Sequence, residues 1–352
     1  MNNKIGIGVI GGGGISAEGH ICGYQADPRC EVVALFDADQ AKMTEQAQRL
    51  GVLHTYTDLA AFLAHPNLQA VSVCSPDHLH GAHCLAALQA GKHILCEKPM
   101  TTSREDAAQL VTTVRQSGLT FLGGHVYHFR PDYQAMANAY RNGEIGEVWL
   151  AEGDYISDMR PFYGPTGQTP WRTEGGTPQD ILLGGGCHPL GLMLWAMQTT
   201  VTEVFAFANH KAEPTLPIND CYVVSLKFAN GAIGKLIAAS GNRGYAPSGG
   251  HLVLYGTEGT LWGRRLYRNN VETHKAEVIE DWVEEFKDYK PRVHNTRQVH
   301  HWAEQCAHFL DCIEGKVQPL TSVEDGARVI GTLTAALESV RTGQAVAVDN
   351  RF

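Results

Sequence analysis

The sequence contains no Cys-x-x-Cys pair, although it carries nine cysteines: Cys22, Cys30, Cys74, Cys84, Cys96, Cys187, Cys221, Cys306 and Cys312. Its 17 histidines include no His-Glu-x-x-His spacing. His78, His80 and His83 cluster, and His300-His301 precede Cys306, but neither group has the spacing of a metal site, so no metal is expected. Several of the thiols sit inside apolar runs, as reduced core cysteines do, which points to a reducing compartment. No apolar stretch approaches the roughly 20 residues needed to cross a bilayer. Met1–Gly14 lacks a basic region followed by a cleavage-type site and reads as strand and loop, not a signal peptide. Basic residues are in the minority, 28 against 37 acidic ones, for a formal net charge of −9. A field of that sign repels phosphate backbones and argues against a nucleic-acid partner. Internal repeats and low-complexity tails are also missing. What is left is a soluble, cytoplasmic chain of 352 residues, 43% hydrophobic, with length for two domains.

The first third alternates strand and helix signals. Lys4–Ile10, Glu31–Phe36, His54–Tyr56, Ala70–Cys74, His93–Cys96 and Thr120–Gly123 read as strands. Ile15–Ala26, Ala38–Leu50, Leu59–Ala64, His78–Ala90 and Ser103–Ser117 read as the helices between them. That rhythm predicts a parallel sheet covered on both faces. After a helix at Pro131–Arg141, β signals dominate: Val148–Ile156, Thr202–Asn209, Cys221–Phe228, Ala232–Ala239 and His251–Tyr255. Asn230-Gly231 between two of these runs predicts a type I′ hairpin, whose two central residues both need positive φ. A second turn falls at Gly256–Gly259. The Pro/Gly-rich stretch from Ser157 to Asp180 is too long for a plain connector and suggests a functional loop. Helices near Gln298–Glu314 and Val323–Thr342 finish the chain. The expected architecture is α/β, a Rossmann domain over 1–124 followed by an α+β domain over 125–352 on a large open, mainly antiparallel sheet. The last segment of the chain is free to pack back on the first domain.

Gly11-x-Gly13-Gly14-Ile15-Ser16 follows a strand and opens a helix. Glycines there let the main chain turn sharply and approach a pyrophosphate at a helix N-terminus. Ser16 stands where a third glycine is usual, and such a turn alone also fits a tight strand-to-helix connection. Asp37 ends the second strand, roughly 25 residues after Gly11, where a carboxylate can accept hydrogen bonds from a ribose. Ala38 and Asp39 offer no cation for a 2′-phosphate, so NAD is favoured over NADP.

Ala90-Gly91-Lys92-His93-Ile94-Leu95-Cys96-Glu97-Lys98-Pro99 closely resembles the signature of the glucose–fructose oxidoreductase/inositol dehydrogenase/MocA family. Val73-Cys74-Ser75-Pro76-Asp77-His78-Leu79-His80 is similar to that family's nicotinamide-side strand and loop. Gly11–His20 resembles its fingerprint, and Trp171-Arg172 with His188 resemble its substrate-domain pattern. The likeness covers essentially the whole chain. It implies Gly11, Gly13, Gly14, Ile15, Asp37, Ser75, Pro76, His80, Glu97 and Lys98 as cofactor-side residues. It further implies that Lys98 lies beside the nicotinamide, aimed by a cis bond before Pro99, and that the C-terminal sheet packs against another subunit in a dimer or tetramer.

Departures from the family pattern matter as well. The stretch that commonly reads Asp-x-Gly-x-His-x-x-Asp is Gly184-Gly185-Gly186-Cys187-His188-Pro189-Leu190-Gly191, so His188 is kept while glycine fills both Asp positions. Asp180 would reach His188 only if the glycine run breaks the helix. The common Arg-Arg-Phe segment is replaced by Tyr127-His128-Phe129.

Taken with the resemblance, these residues suggest an NAD-dependent oxidoreductase acting on a carbinol of a sugar, cyclitol or glycoside. Lys98 and His188 are the candidate catalytic pair, because an imidazole titrates near neutrality and a lysine can stabilise a developing alkoxide. Tyr127, Trp171, Arg172, Asp180, His188 and Arg243 are candidate substrate contacts. Two of Arg160, Arg172 and Arg243 converging would indicate an anionic sugar. Two alternatives stand beside this reading. One is a redox-neutral NAD-dependent glycosidase working by oxidation, elimination, water addition and re-reduction. The other is a non-catalytic cofactor-binding protein, against which the retention of Lys98 and His188 counts.

Overall fold

The structure is a computed structural model that describes residues 4–163, 167–173, 181–244, 249–270, 272–287 and 301–352. The chain divides into two compact units: Met1–Arg130 with Tyr289–Ala327 and Phe352, and Pro131–Asp288 with Arg328–Arg351.

Six strands make the sheet of the first unit: β1 (Ile5–Ile10), β2 (Cys30–Phe36), β3 (His54–Tyr56), β4 (Ala70–Val73), β5 (His93–Glu97) and β6 (Phe121–Gly124). All pair in parallel, in the order β3-β2-β1-β4-β5-β6. The chain winds outward one way from β1 and then the other way from β4, so the carboxyl ends of β1 and β4 flank the crevice where such sheets take ligands. Local chemistry sets the helix ends. Helix Arg104–Ser117 starts where Ser103 Oγ accepts the Asp106 N–H at 3.1 Å and stops at Gly118, left-handed at φ 65°. After the glycine turn the chain first takes a wide π-helical course, Ile15–Ile21, and only then tightens to an α-helix at Cys22–Gln25.

A segment from the far end of the sequence completes this unit. Helix Trp302–Ile313 lays Cys306, Phe309 and Leu310 into a core with Ile7, Tyr24, Leu95, Leu122 and Phe129. Each large apolar side chain so buried contributes roughly 1.5–3 kcal/mol. At its end the Arg29 guanidinium grips Asp311 at 2.5 Å and Glu314 at 2.9 Å while its other arm holds Asp27 at 2.7 Å. Of the helix expected over Gln298–Glu314, residues 298–300 lie outside the described residues.

The second unit carries nine strands: β7 (Val148–Ile156), β8 (Val201–Asn209), β9 (Cys221–Phe228), β10 (Ile233–Ala239), β11 (Gly249–Gly256), β12 (Thr260–Trp262), β13 (Arg265–Asn269), β14 (Ala276–Asp281) and β15 (Val346–Ala347). Their order is β14-β13-β12-β11-β7-β10-β9-β8-β15, antiparallel throughout except where β7 meets β10. One face packs on helix Cys187–Met197, which is apolar nearly all round and correspondingly buried. The fit is close: a Cβ on Gly153 of β7 would stand 2.8 Å from Pro189. Large apolar side chains lie exposed elsewhere on the sheet, with Phe207 67%, Trp149 55% and Ile233 55% accessible.

The Asn230-Gly231 hairpin forms, but not as type I′. Only Gly231 has positive φ, at 89°. The Gly231 N–H donates to the Phe228 carbonyl and the Phe228 N–H to that of Ala232. Ala229-Asn230 therefore make an ordinary turn, and Gly231 forms the bulge that brings the strands back into register in a three-residue loop. Gly231→Ala is expected to lower stability by about 1 kcal/mol, since it puts a side chain into the left-handed region. Asn230→Ala should cost appreciably less, as its backbone needs no such freedom. Urea denaturation of both variants checks this; equal losses would restore the type I′ geometry.

Candidate active site and cofactor-binding edge

The carboxyl edge of the six-stranded sheet gathers most of the residues singled out in the sequence. Gly11 leaves β1 with φ 103°, and a Cβ there would lie 2.6 Å from the Cys74 carbonyl oxygen at the end of β4. A side chain is thus excluded twice, by conformation and by space. At Gly13 and Gly14 a Cβ would meet nothing within 4 Å. That open space over two successive main-chain units is what a pyrophosphate needs for close approach. Ser16, in place of a third glycine, turns its hydroxyl back to donate to the Gly13 carbonyl at 2.6 Å. Ile15 begins the π-helical turn.

Asp37 closes β2 with its carboxylate aimed by the main chain. The Gly12 N–H donates to Oδ2 at 2.5 Å and the Asp39 N–H to Oδ1 at 2.9 Å. Each oxygen keeps a further lone pair, so the group fits a ribose diol. A dinucleotide would be held by Gly11–Ile15 and Asp37, and its nicotinamide supplies a carbon that takes or gives hydride.

Ser75 and Pro76 lead from β4 into the short turn Asp77–Leu79, and His80 opens the helix that follows. His80 Nδ1 lies 2.7 Å from the Pro99 carbonyl oxygen and Nε2 lies 2.8 Å from that of Ser75. Carbonyls only accept, so both ring nitrogens carry protons and the ring is an imidazolium. Burial opposes that charge, but the Cys96 sulfur, Asp77 and the Pro99 carbonyl outweigh it and push the group up to about 9. His80 therefore pins the segment after β4 to the segment after β5 and has no nitrogen left to coordinate a metal. His83 shares a 2.8 Å hydrogen bond with the Ser75 hydroxyl, and burial, then His80 and His78, hold it down to about 4.

Glu97 ends β5 and is buried. Its Oε1 accepts from His20 Nε2 at 2.9 Å and its Oε2 from the Lys98 N–H at 3.2 Å. Burial works against the carboxylate, yet His20 and Lys98 prevail and hold it at about 2. Lys98 follows, and the Lys98–Pro99 peptide is cis, as the resemblance implied. Beside it, β6 pairs Gly124 with Glu97, which brings His125 level with Lys98. His125 is buried, its Nδ1 lacks a hydrogen-bond partner, and burial followed by the Lys98 charge hold it down to about 4. Tyr127 lies buried in the next turn, Val126–Phe129, with the Arg130 guanidinium 5.9 Å from its ring centre. His128 Nδ1 reaches Thr321 Oγ1 at 2.8 Å, and its ring stacks on His125.

In the second unit, His188 sits in the first turn of helix Cys187–Met197, buried, with its ring stacked on Tyr155 of β7 at 5.6 Å and 15°. The glycine run does break the helix: Ile181–Gly184 ends before Cys187–Met197 begins. Asp180, whose access to His188 hung on that break, lies outside the described residues. Arg172 is buried with its guanidinium 4.7 Å from the Trp171 ring centre, so the indole meets a cation of its own chain. Arg243 pairs with Glu213 at 2.9 Å and Arg160 with Asp158 at 2.5 Å. Each guanidinium thus has a carboxylate already. Among the described residues, no group of three or more acidic, His or Cys side chains is placed to hold a metal ion. Nor, among the described residues, is any helix long and apolar enough to cross a membrane.

Four buried groups escaped the sequence reading: His20, Ser72, Tyr24 and His125. The available signal was polarity out of place, a histidine on an otherwise small and apolar helix face and a serine inside the run of β4.

A glycine turn at the point where strand order reverses, with an acid closing the next strand, marks a dinucleotide-binding protein, and known proteins narrow the class to oxidoreductases. Residues 5–125 match the oxidoreductase family with an NAD-binding Rossmann fold, and residues 133–262 match the GFO/IDH/MocA C-terminal domain. The chain belongs to the GFO/IDH/MocA family. It is 27% identical to 1,5-anhydro-D-fructose reductase of Ensifer adhaerens, over 97% of this chain and 98% of the relative. It is 23% identical to myo-inositol 2-dehydrogenase of Thermotoga maritima, again over 97% and 98%. An oxidoreductase from Agrobacterium radiobacter, solved with NAD+, L-tartaric acid and magnesium, superposes with a TM-score of 0.80 at 18% identity, covering 98% of both chains.

The charge on His80 gives a pH prediction. Its value is raised from 6.5 to about 9 on folding, so its contribution to stability is complete below pH 6.5 and lost as pH rises through 9. Chemical denaturation of the wild type and of His80→Gln across that window is the check. The difference between them should shrink as pH rises, and a constant difference would show that the ring is neutral.

Proposed function

We propose that this protein moves hydride between NAD and a carbinol carbon of a sugar, cyclitol or glycoside. In the oxidative direction the carbinol C–H pair leaves for the nicotinamide, the hydroxyl proton passes to a side chain, and the carbon–oxygen bond becomes a carbonyl. The observation that carries this reading is Lys98, a flexible cation at the carboxyl edge of the sheet whose main chain is anchored by the carboxylate of Glu97. Lys98 is assigned to stabilise the developing alkoxide and His188 to take the proton. The sugar and cyclitol names of the two relatives support the substrate class. Asp37, with no neighbouring cation on the sequence side of a 2′-phosphate, supports NAD over NADP.

Two further features belong to the proposal. Trp149, Ile233 and Phe207 are large apolar side chains left exposed on the second sheet, which supports a homo-oligomer built through that sheet. All nine cysteines are free thiols, which supports a reducing, cytoplasmic setting.

Lys98→Ala and His188→Ala are each expected to slow turnover by about 100-fold or more while the protein folds and binds NAD. Near-normal turnover in either removes that residue from the mechanism. Titration with both cofactors should show NAD binding at least about tenfold more tightly than NADP, or 1.4 kcal/mol; parity or an NADP preference refutes the role given to Asp37. With sugars and aryl glycosides as substrates, reduced cofactor should accumulate in step with an oxo-sugar. Aglycone release without net cofactor change would replace the proposal with the redox-neutral glycosidase route.

A further inference from the structure

A chain of buried polar groups runs to the main chain of Lys98. The Tyr24 hydroxyl is 2.7 Å from Ser72 Oγ, Ser72 Oγ is 3.1 Å from His20 Nδ1, and His20 Nε2 is 2.9 Å from Glu97 Oε1. The other Glu97 oxygen accepts the Lys98 N–H. Tyr24, Ser72 and His20 are all sealed from solvent. A carboxylate only accepts, so His20 Nε2 carries a proton. The remaining bonds are then all satisfied if Tyr24 donates to Ser72 and Ser72 to His20 Nδ1. No member of such a chain can be removed without stranding its neighbour.

The chain spans three elements. Tyr24 and His20 come from the helical segment after the glycine turn, Ser72 from β4 and Glu97 from β5. The wide π course of Ile15–Ile21 turns His20 inward in its last turn, and the His20 carbonyl also accepts a weak bond from Cys306 Sγ at 3.9 Å.

We infer that His20 is a positioning residue for Lys98: it holds the Glu97 carboxylate ionised and in place, and that carboxylate fixes the Lys98 main chain and interacts with the Lys98 charge. His20 reaches neither substrate nor cofactor in this role. The inference rests on the reading of Lys98 as the group that handles substrate oxygen, but its test does not depend on turnover. Among the described residues, the other titratable groups facing the pair are Tyr24, Cys74 at the end of β4, Cys306 on helix Trp302–Ile313, and His125, which Asp325 also faces. Burial pushes the phenol and both thiols well up and His125 down, so these four stay neutral around neutral pH.

The experiment follows the Lys98 ammonium directly. Lysines of the full-length protein are dimethylated with 13C-formaldehyde, the Lys98 signal is assigned by its loss in Lys98→Arg, and its pH midpoint is read by NMR. Removing a fixed anion near an ammonium lowers that midpoint. His20→Leu and Glu97→Gln should both show this fall, and His20→Gln, which keeps a donor toward Glu97, should recover most of it. A merely structural histidine would destabilise the protein without moving the Lys98 midpoint. Should His20→Leu not fold, Ser72→Ala removes the hydroxyl that orients the ring and is expected to give a smaller fall of the same sign. An unmoved midpoint in whichever of these two variants folds overturns the inference, as does a fall in Glu97→Gln alone. If the midpoint moves as expected but Lys98→Ala turns over normally, the hydride-transfer reading fails and the positioning role stands.

Discussion

The first unit is organised around one costly act, the burial of a carboxylate at the end of β5. An isolated ion in that position would lose several kcal/mol of hydration. Glu97 escapes the loss because His20 and the Lys98 main chain complete its hydrogen bonds, and that completion requires the helical segment after β1 and the ends of β4 and β5 to stand in one arrangement. Lys98 inherits its position from this arrangement. His80 does the same work on the other side with the opposite charge, an imidazolium shared between the segments that follow β4 and β5. A buried anion and a buried cation therefore bracket the lysine, and neither is free to serve as its proton partner.

Much of this was legible in the residues. Periodicity placed the six strands of the first unit and the five longer strands β7 to β11 of the second, because alternation and helical stripes are local and repeat; β12 to β15, six residues or fewer each, it missed. The glycine turn and Asp37 were legible for a similar reason: both lie at strand ends that the pattern itself marks. His20 was not, since its meaning comes from Glu97, a partner separated by 77 residues that only the folded sheet brings near. The hairpin at Asn230-Gly231 failed at finer grain. Its dipeptide suits type I′, but the pairing of Lys227 with Ile233 leaves room for a third loop residue, and tertiary register overrode the local preference.

Candidate substrate residues in the second unit divide along the same line. His188 could be named from its neighbours in sequence, and its buried place against Tyr155 suits a group that must be held still. Arg243 and Arg160 were chosen for their charge, and the fold had already matched each with a carboxylate. Charge can be counted in a sequence; whether it is spent cannot. An exposed pair of this kind is worth little in stability, but it does hold the guanidinium away from other anions.

The clamp between Arg29 and Asp311 joins residues 282 apart in sequence, and helix Trp302–Ile313 supplies part of the same core as β1. A polypeptide leaving the ribosome would therefore have the Pro131–Asp288 part of the second unit made before the first could close. Until residue 313 has emerged, Tyr24, Leu122 and Phe129 lack their covering helix, and the nascent Rossmann sheet offers an apolar face to whatever attends synthesis. The first domain to be started is thus closed only near the end of synthesis, and a truncation that looks confined to the C-terminus would strike the nucleotide-binding domain at its core.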